Sequence, residues 1–257
     1  MSVPPDSLAH VSTQRVDEWR DIDKVAYAYH LAQWLEQKQS TKHFSEFVSG
    51  LCAESDLVVD LGCGAGAATY YLAQRHATTR FLGIDYSDAL VALAGHFAFE
   101  RQATNLSFVE GDWFNLAPRA DVDGVVSLQT LSWLPGFEQP LDAIFSRLNP
   151  RWIALTSLFY EGDISCKIEV NEHVRNRSSF YNIYSIPSVS RHVAKYGYRI
   201  TRQQPFAIDI DIPRPANRDA MGTYTVLSRE SAGTPETRLQ ISGPLLMNWH
   251  LLVIERI

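Results

Sequence analysis

The chain has 257 residues, of which 46% are hydrophobic and 20% charged, and its formal net charge is −6 at pH 7. That composition supports a sizeable core, and an acidic balance without Lys and Arg runs interleaved with aromatics argues against a nucleic-acid partner. Three scattered cysteines without a CxxC pair, no signal-peptide pattern and no apolar run of about 20 residues point to a cytoplasmic protein without membrane contact.

The first 15 residues, with Pro4, Pro5 and small polar side chains, predict a loose segment. From Asp17 to about Phe47, Trp19, Ile22, Val25, Tyr29, Ala32 and Trp34 recur at three- and four-residue steps, the period of a helix with one apolar face. Trp19 and Trp34 are expected in the core, and residues 1–50 as a helical cap on a main domain spanning 51–257. After Ser55 short apolar runs alternate with helical stretches. Strands are predicted at 57–61, 80–85, 106–112, 123–129 and 151–160. Helices are predicted over Ala67–His76, from a Ser87 cap to about Arg101, and to Leu148 with Pro140 in the first turn. Such alternation, with continuous Val, Ile and Leu runs, implies a mainly parallel sheet covered on both faces. The second half is less regular. Residues 160–186 and 213–244 read as insertions, Pro187–Tyr196 as a helix and Tyr198–Ile212 as a strand. TYTVLSRE and TRLQIS suit the arms of a hairpin, and MNWHLLVIER (247–256) a last strand.

The stretch VVDLGCGAGAATYYLA, 58–73, places an aspartate at the mouth of a glycine-rich strand–loop–helix turn. Glycines there let the backbone turn tightly and a ligand come close. Gly62, Gly64 and Ala67 satisfy the GxGxxA spacing of dinucleotide sites, so the loop alone does not separate a nicotinamide cofactor from another nucleoside. Asp60 weighs on that choice. A carboxylate repels a pyrophosphate and attracts an ammonium or a sulfonium, and S-adenosylmethionine carries both cations and no phosphate. Asp85, ending the second strand, is placed to accept ribose hydroxyls in either kind of cofactor. Asp112 in EGDW, with Trp113 beside it, suits an adenine, the carboxylate taking a hydrogen bond from the exocyclic amine and the aromatic covering the ring. The Tyr-x-x-x-Lys pair of short-chain dehydrogenases does not occur in the chain.

In this order and spacing, VVDLGCGAG, GIDYS, EGDW and VVSLQTLSWLP resemble the successive motifs of class I S-adenosylmethionine-dependent methyltransferases over roughly residues 57–158. The resemblance implies an α/β fold, a doubly wound Rossmann-like sheet of seven mostly parallel strands with an antiparallel last strand and helices on both faces. The N-terminal helical cap and an inserted hairpin would be additions to it. It also implies S-adenosylmethionine as cofactor. Asp60, Gly62, Gly64 and Gly66 would then surround the methionine part, with Asp85 at the ribose and Tyr86 among the cofactor-binding residues. Asp112 and Trp113 would meet the adenine, and Ser127 and Gln129 would lie beneath the methionine end.

The chemistry expected is in-line transfer of a methyl group to an oxygen or nitrogen of a small molecule, a sugar or another metabolite. Groups able to orient an acceptor come from the N-terminal helix (Trp19, Tyr27, Tyr29, His30) and from the 160–186 insertion (Tyr160, His173, Arg175, Arg177, Tyr181, Asn182, Tyr184). Tyr27, Trp133 and His173 are the candidates for work at the reacting atoms. Each has a structural alternative: Tyr27 facing the sheet, Trp133 under the following helix, and His173 on a solvated charged face with Glu169 and Glu172 if 167–177 is helical. No HExxH or Cys/His cluster supports a metal, and none is expected. Two other functions stay open at this point, a nicotinamide-dependent oxidoreductase and a binder that keeps the cofactor pocket without transfer. So does a homodimer.

Overall fold

All five residues of LVVDL are buried, which a strand achieves in the middle of a sheet covered on both faces. This strand, β1 (Leu57–Leu61), lies inside a seven-stranded sheet in the computed structural model, which describes residues 24–173, 177–213, 223–228, 236–242, 245–246 and 249–257. Its parallel neighbours are β2 (Arg80–Asp85) and β4 (Gly124–Leu128). β3 (Leu106–Glu110) follows β2 at one edge, and β5 (Trp152–Ser157), β14 (Trp249–Arg256) and β10 (Tyr198–Phe206) complete the other side. β14 runs antiparallel to both β5 and β10, as the sequence predicts for the last strand.

The helices are α1 (Lys24–Leu35), α2 (Gln39–Ala53), α3 (Ala67–Arg75), α4 (Asp88–Glu100), α5 (Glu138–Arg147) and α6 (Ile186–Ala194). Successive residues of β1 point to opposite faces, and each face has its own core. Val59 and Leu61 pack with Val125, Ile153 and Leu155 against Leu141 and Ile144 of α5 and Val189 and Val193 of α6. Val58 packs with Val126 and Ala154 against Phe44, Phe47 and Val48 of α2 and Leu72 of α3.

α1 and α2 replace the single helix expected over 17–47; Trp19 and Ile22 lie outside the described residues. The break at 36–38 contains no Gly or Pro and opens a polar run, Glu36 to His43, that separates Leu35 from Phe44. Trp34 donates its indole N–H to Ala65 O at 2.8 Å and stacks on Phe97 of α4 at 4.8 Å. Gln37 Nε2 donates to Ala67 O at 3.1 Å. The chain is pinned to the glycine turn before α2 packs on the sheet.

The helix considered over 167–177 is instead an antiparallel hairpin of β7 (Glu169–Glu172) and β8 (Arg177–Phe180), with Glu169 opposite Phe180. A strand alternates its side chains between two faces, so the shared helical face considered for this segment does not form. β6 (Phe159–Tyr160) and β9 (Tyr184–Ser185) form a small parallel pair. β10 ends at Phe206 and not at Ile212, because the chain then turns to a second sheet: Ile212 N donates to Thr225 Oγ1 and Thr225 N to Ile212 O, each at 2.9 Å. In that sheet β11 (Thr223–Ser228) and β12 (Thr237–Ser242) pair antiparallel, as expected, and β13 (Leu245–Leu246) extends them. Among the described residues no helix is long and apolar enough to cross a membrane.

Gly66 precedes α3 with φ +80°, and a Cβ there would lie 2.4 Å from Phe108 and 2.9 Å from Ala94. Gly66→Ala is expected to cost about 2–4 kcal/mol, from left-handed backbone and overpacking together. The check is a lower urea midpoint at unchanged slope; an unmoved midpoint would contradict this packing.

Candidate functional site

The carboxyl ends of β1, β2 and β4 lie side by side, with Asp60 opposite Gly83 and Val126, and Leu61 opposite Ile84. The loops leaving them meet around a cavity of about 650 Å³, at the edge where open α/β sheets take ligands. One wall is the glycine loop with Asp85, Tyr86, Asp112, Trp113 and Gln129. A second comes from Tyr29, His30 and Gln33 of α1 with Lys38, and a third from Trp133, Leu134, Pro135, Glu169 and Phe180.

The loop is shaped by its own amides. Gly62 N donates to Ile84 O at 2.8 Å, and Gly64 N to Asp85 Oδ2 at 2.7 Å, which ties it to the end of β2. Gly64 has φ +56°, and a Cβ there would come within 3.0 Å of the His30 ring, so α1 closes directly over the loop.

Asp60 is 1% exposed; its Oδ2 accepts the Thr69 hydroxyl at 2.7 Å, while Oδ1 has no hydrogen-bond partner. Burial pushes its carboxyl up to about 7 against the Thr69 hydrogen bond, and the Asp85 charge adds to the rise. Asp85 is raised as well, by burial, against hydrogen bonds from the Ser87, Gly64 and Tyr86 amides. Two acids this close, one with an orphaned oxygen, suit a cation and hydroxyl groups. A pyrophosphate against them would add like charge.

Asp112 Oδ1 accepts from Phe114 N at 2.8 Å, and the Trp113 indole N–H donates to Pro140 O at 3.0 Å, which fixes the ring between the cavity and α5. Gln129 lines the cavity with φ +61°, held by its N–H to Thr156 O at 2.8 Å and its Nε2 to Thr156 Oγ1 at 3.1 Å. A non-glycine residue in that conformation is often found at a functional site. Ser127 is not a lining residue. It is buried and donates its hydroxyl to Leu61 O at 2.7 Å, latching β4 to β1.

Of the three candidates for work at the reacting atoms, Trp133 alone lines the cavity, in edge contact with Tyr181 at 5.2 Å. Tyr27 is 47% exposed and lies one turn before His30, outside the lining residues. His173 is exposed at the turn after β7 and does not reach the cavity. Arg175 and the side chain of Arg177 lie outside the described residues. Asn182 and Tyr184, expected at the acceptor, are buried braces: Asn182 Nδ2 and the Tyr184 hydroxyl donate to Leu134 O at 2.8 and 2.9 Å. Lys38, Gln33 and Phe180 reach the cavity without any motif having singled them out, since two helices and a hairpin bring them there. Burial holds His30 near 4, helped by the Lys38 charge, so its imidazole is neutral at pH 7. Among the described residues no group of three His, Cys, Asp or Glu side chains is placed to hold a metal ion.

A largely parallel sheet with one antiparallel last strand, a left-handed glycine loop after β1 and acids at the carboxyl ends of β1 and β2, Asp60 next to last and Asp85 last, define a Rossmann-like domain of the class I methyltransferase type. The chain belongs to the methyltransferase domain family, whose model matches residues 53–209. It is similar to trans-aconitate 2-methyltransferase of Escherichia coli O157:H7 (strain EC4115 / EHEC), 36% identical over 98 residues, covering 38% of this chain and 37% of that one. The chain thus spans little more than a third of that curated relative's length. Among solved structures it is similar to magnesium protoporphyrin IX methyltransferase from Synechocystis PCC 6803 with bound SAH, at TM-score 0.55 and 16% identity, over 98% of this chain and 95% of that one. It is also similar to the cyclase SpnF, at TM-score 0.52 and 18% identity, over 63% and 58%. At such identities these structures show the fold, and a fold that hosts a cyclase beside transferases does not by itself fix the reaction.

Between pH 3.8 and about 7 the folded chain keeps a proton on Asp60 that the unfolded chain has lost, so this residue's contribution to stability falls as pH rises through that window. His30, lowered to about 4, acts in the opposite direction: its contribution is lost as pH falls below 6.5. The difference between Asp60→Asn and the wild type isolates the first effect. The variant is expected to gain on the wild type by on the order of 2–4 kcal/mol as pH is raised from 4 to 7, measured by urea melts. A flat difference across that range would show that Asp60 does not hold its proton.

Proposed function

We propose that the protein transfers a methyl group from S-adenosylmethionine to an oxygen or nitrogen atom of a small molecule. The observation that carries this reading is the orphaned Oδ1 of Asp60 beside a glycine loop whose other flank is Asp85. The residues suit the group. Asp60 would hold its ammonium, Asp85 and Tyr86 the ribose, and Asp112 with Trp113 the adenine. When bound, the cofactor supplies an electrophilic methyl on a sulfonium whose charge vanishes on transfer.

The chain's own residues contribute position and dryness. Trp133, Leu134, Pro135 and Phe180 present an apolar wall on which an acceptor would lie, and excluding water there strengthens every charge interaction inside. Tyr181, Asn182 and Tyr184 hold that wall from behind. Neutral His30 can hydrogen-bond to a substrate, but with its pKa near 4 it is a weak base. An acceptor that arrives ready to react therefore suits the site, such as a neutral amine or an ionised carboxylate. The Escherichia coli relative is named for a carboxylic acid.

Calorimetry distinguishes this reading from a nicotinamide cofactor. Wild-type protein is expected to bind S-adenosylhomocysteine and to give no heat with NADH. Asp85→Ala should weaken S-adenosylhomocysteine by about 10- to 100-fold through the lost charge-assisted hydrogen bond. Saturable NADH binding without S-adenosylhomocysteine binding would overturn the assignment.

A further inference from the structure

Among the described residues four carboxylates line the cavity, and three of them are engaged by their own loops. Asp60 accepts from Thr69, Asp85 from the Gly64 and Ser87 amides, and Asp112 from the Phe114 amide. The fourth, Glu169, comes from the β7–β8 hairpin, and among the described residues no hydrogen bond or ion pair engages its carboxylate. Lys38, which lines another wall, is taken by Tyr29: its ammonium donates to the Tyr29 hydroxyl and lies 4.3 Å from the ring centroid.

Strand alternation commits Glu169 to this side. Residues directly opposite in an antiparallel pair share a face, and Glu169 is opposite Phe180 while Asn171 is opposite Ser178. Glu169, Ser178 and Phe180 all line the cavity, and the Ser178 hydroxyl donates to Asn171 Oδ1 at 2.5 Å. Val170, on the other face, packs against Leu158, Tyr181 and Ile183 and so anchors the hairpin. β8 also lies against the short turn Leu131–Trp133, whose Trp133 ring reaches the same cavity. A carboxylate thus shares one wall with two aromatic side chains, Trp133 and Phe180, and with apolar Leu134 and Pro135. Ring faces and a carboxylate attract the same kind of group, a protonated nitrogen, and both disfavour an anion.

We propose that this wall is an acceptor subsite for an amphipathic amine, in which Glu169 pairs with a protonated nitrogen while Trp133 and Phe180 cover the apolar body that carries it. That nitrogen is a recognition group, apart from the atom that is methylated. The inference rests on the methyl-donor reading and deepens it by naming the class of acceptor. It is tested on the full chain saturated with S-adenosylhomocysteine, by ligand-observed NMR titration with 2-phenylethylamine and 3-phenylpropionate, probes of similar size and opposite charge. Wild-type protein is expected to bind the amine about 10-fold or more tightly than the acid. Glu169→Gln should weaken the amine about 3- to 10-fold, between an exposed ion pair and an enclosed charge-assisted hydrogen bond. S-Adenosylhomocysteine, followed by calorimetry, should stay within about twofold of wild type in that variant. Glu169→Lys should reverse the order of the two probes. The inference alone is overturned by absent amine binding, by acid binding as tight as the amine's, or by an order that Glu169→Lys leaves unchanged. An amine affinity unmoved in Glu169→Gln, or lost there in equal measure with S-adenosylhomocysteine, overturns it as well. Wild-type protein that fails to bind S-adenosylhomocysteine overturns the methyl-donor reading, and the inference with it.

Discussion

A buried carboxylate, Asp60, and a half-buried one, Asp85, held beside a loop of left-handed glycines set the terms for the rest of the molecule. Asp85 accepts from the Gly64 amide and so fixes the loop, while Asp60 keeps one oxygen without a partner in the interior. A buried polar atom left unsatisfied destabilises the ligand-free fold. A cation seated on Asp60, as proposed, would offset that cost. Ionised, the same carboxylates would disfavour a phosphate at the loop, although its spacing satisfies a dinucleotide pattern.

The surrounding elements serve that loop. Trp34 and Gln37 donate to the carbonyls of Ala65 and Ala67 and so pin the break between α1 and α2 to the glycine turn. Asn182 and Tyr184, from the insertion, hold Leu134 O and set the wall that carries Trp133. Residues distant in sequence thus converge on the carboxyl edge of the sheet, and a rigid frame of this kind is what positional catalysis requires.

Much of the sheet was legible because its strands are continuous apolar runs punctuated by strong local signals. Ser87 was readable as a helix cap, and its hydroxyl does accept from Leu90 N at 3.3 Å. The motif acids Asp60, Asp85 and Asp112 line one cavity because each lies at or just beyond the carboxyl end of one of three neighbouring parallel strands. Most of what escaped the sequence has tertiary causes. The break at 36–38 carries no Gly or Pro, only the start of a polar run from Glu36 to His43. Glu169, Glu172 and His173 suggest a charged helical face only if the period is three to four, whereas the chain there has the period of a hairpin. Alternation along β4 decides that Ser127 latches β1, and the irregular backbone after it turns Gln129 into the cavity. Lys38 sits in a turn whose position depends on Trp34, and no local pattern marks it.

The most direct measurement is carbon-13 NMR of aspartate-labelled protein, following the side-chain carboxyl of Asp60, assigned with Asp60→Asn, through a pH titration with and without saturating S-adenosylhomocysteine. Without ligand the midpoint is expected near the raised value of about 7. With the ligand's ammonium against the orphaned oxygen, it should fall well below that, into the range of an ionised, paired carboxylate. A carboxyl that titrates identically in the free and saturated protein would contradict the placement of a cation on Asp60.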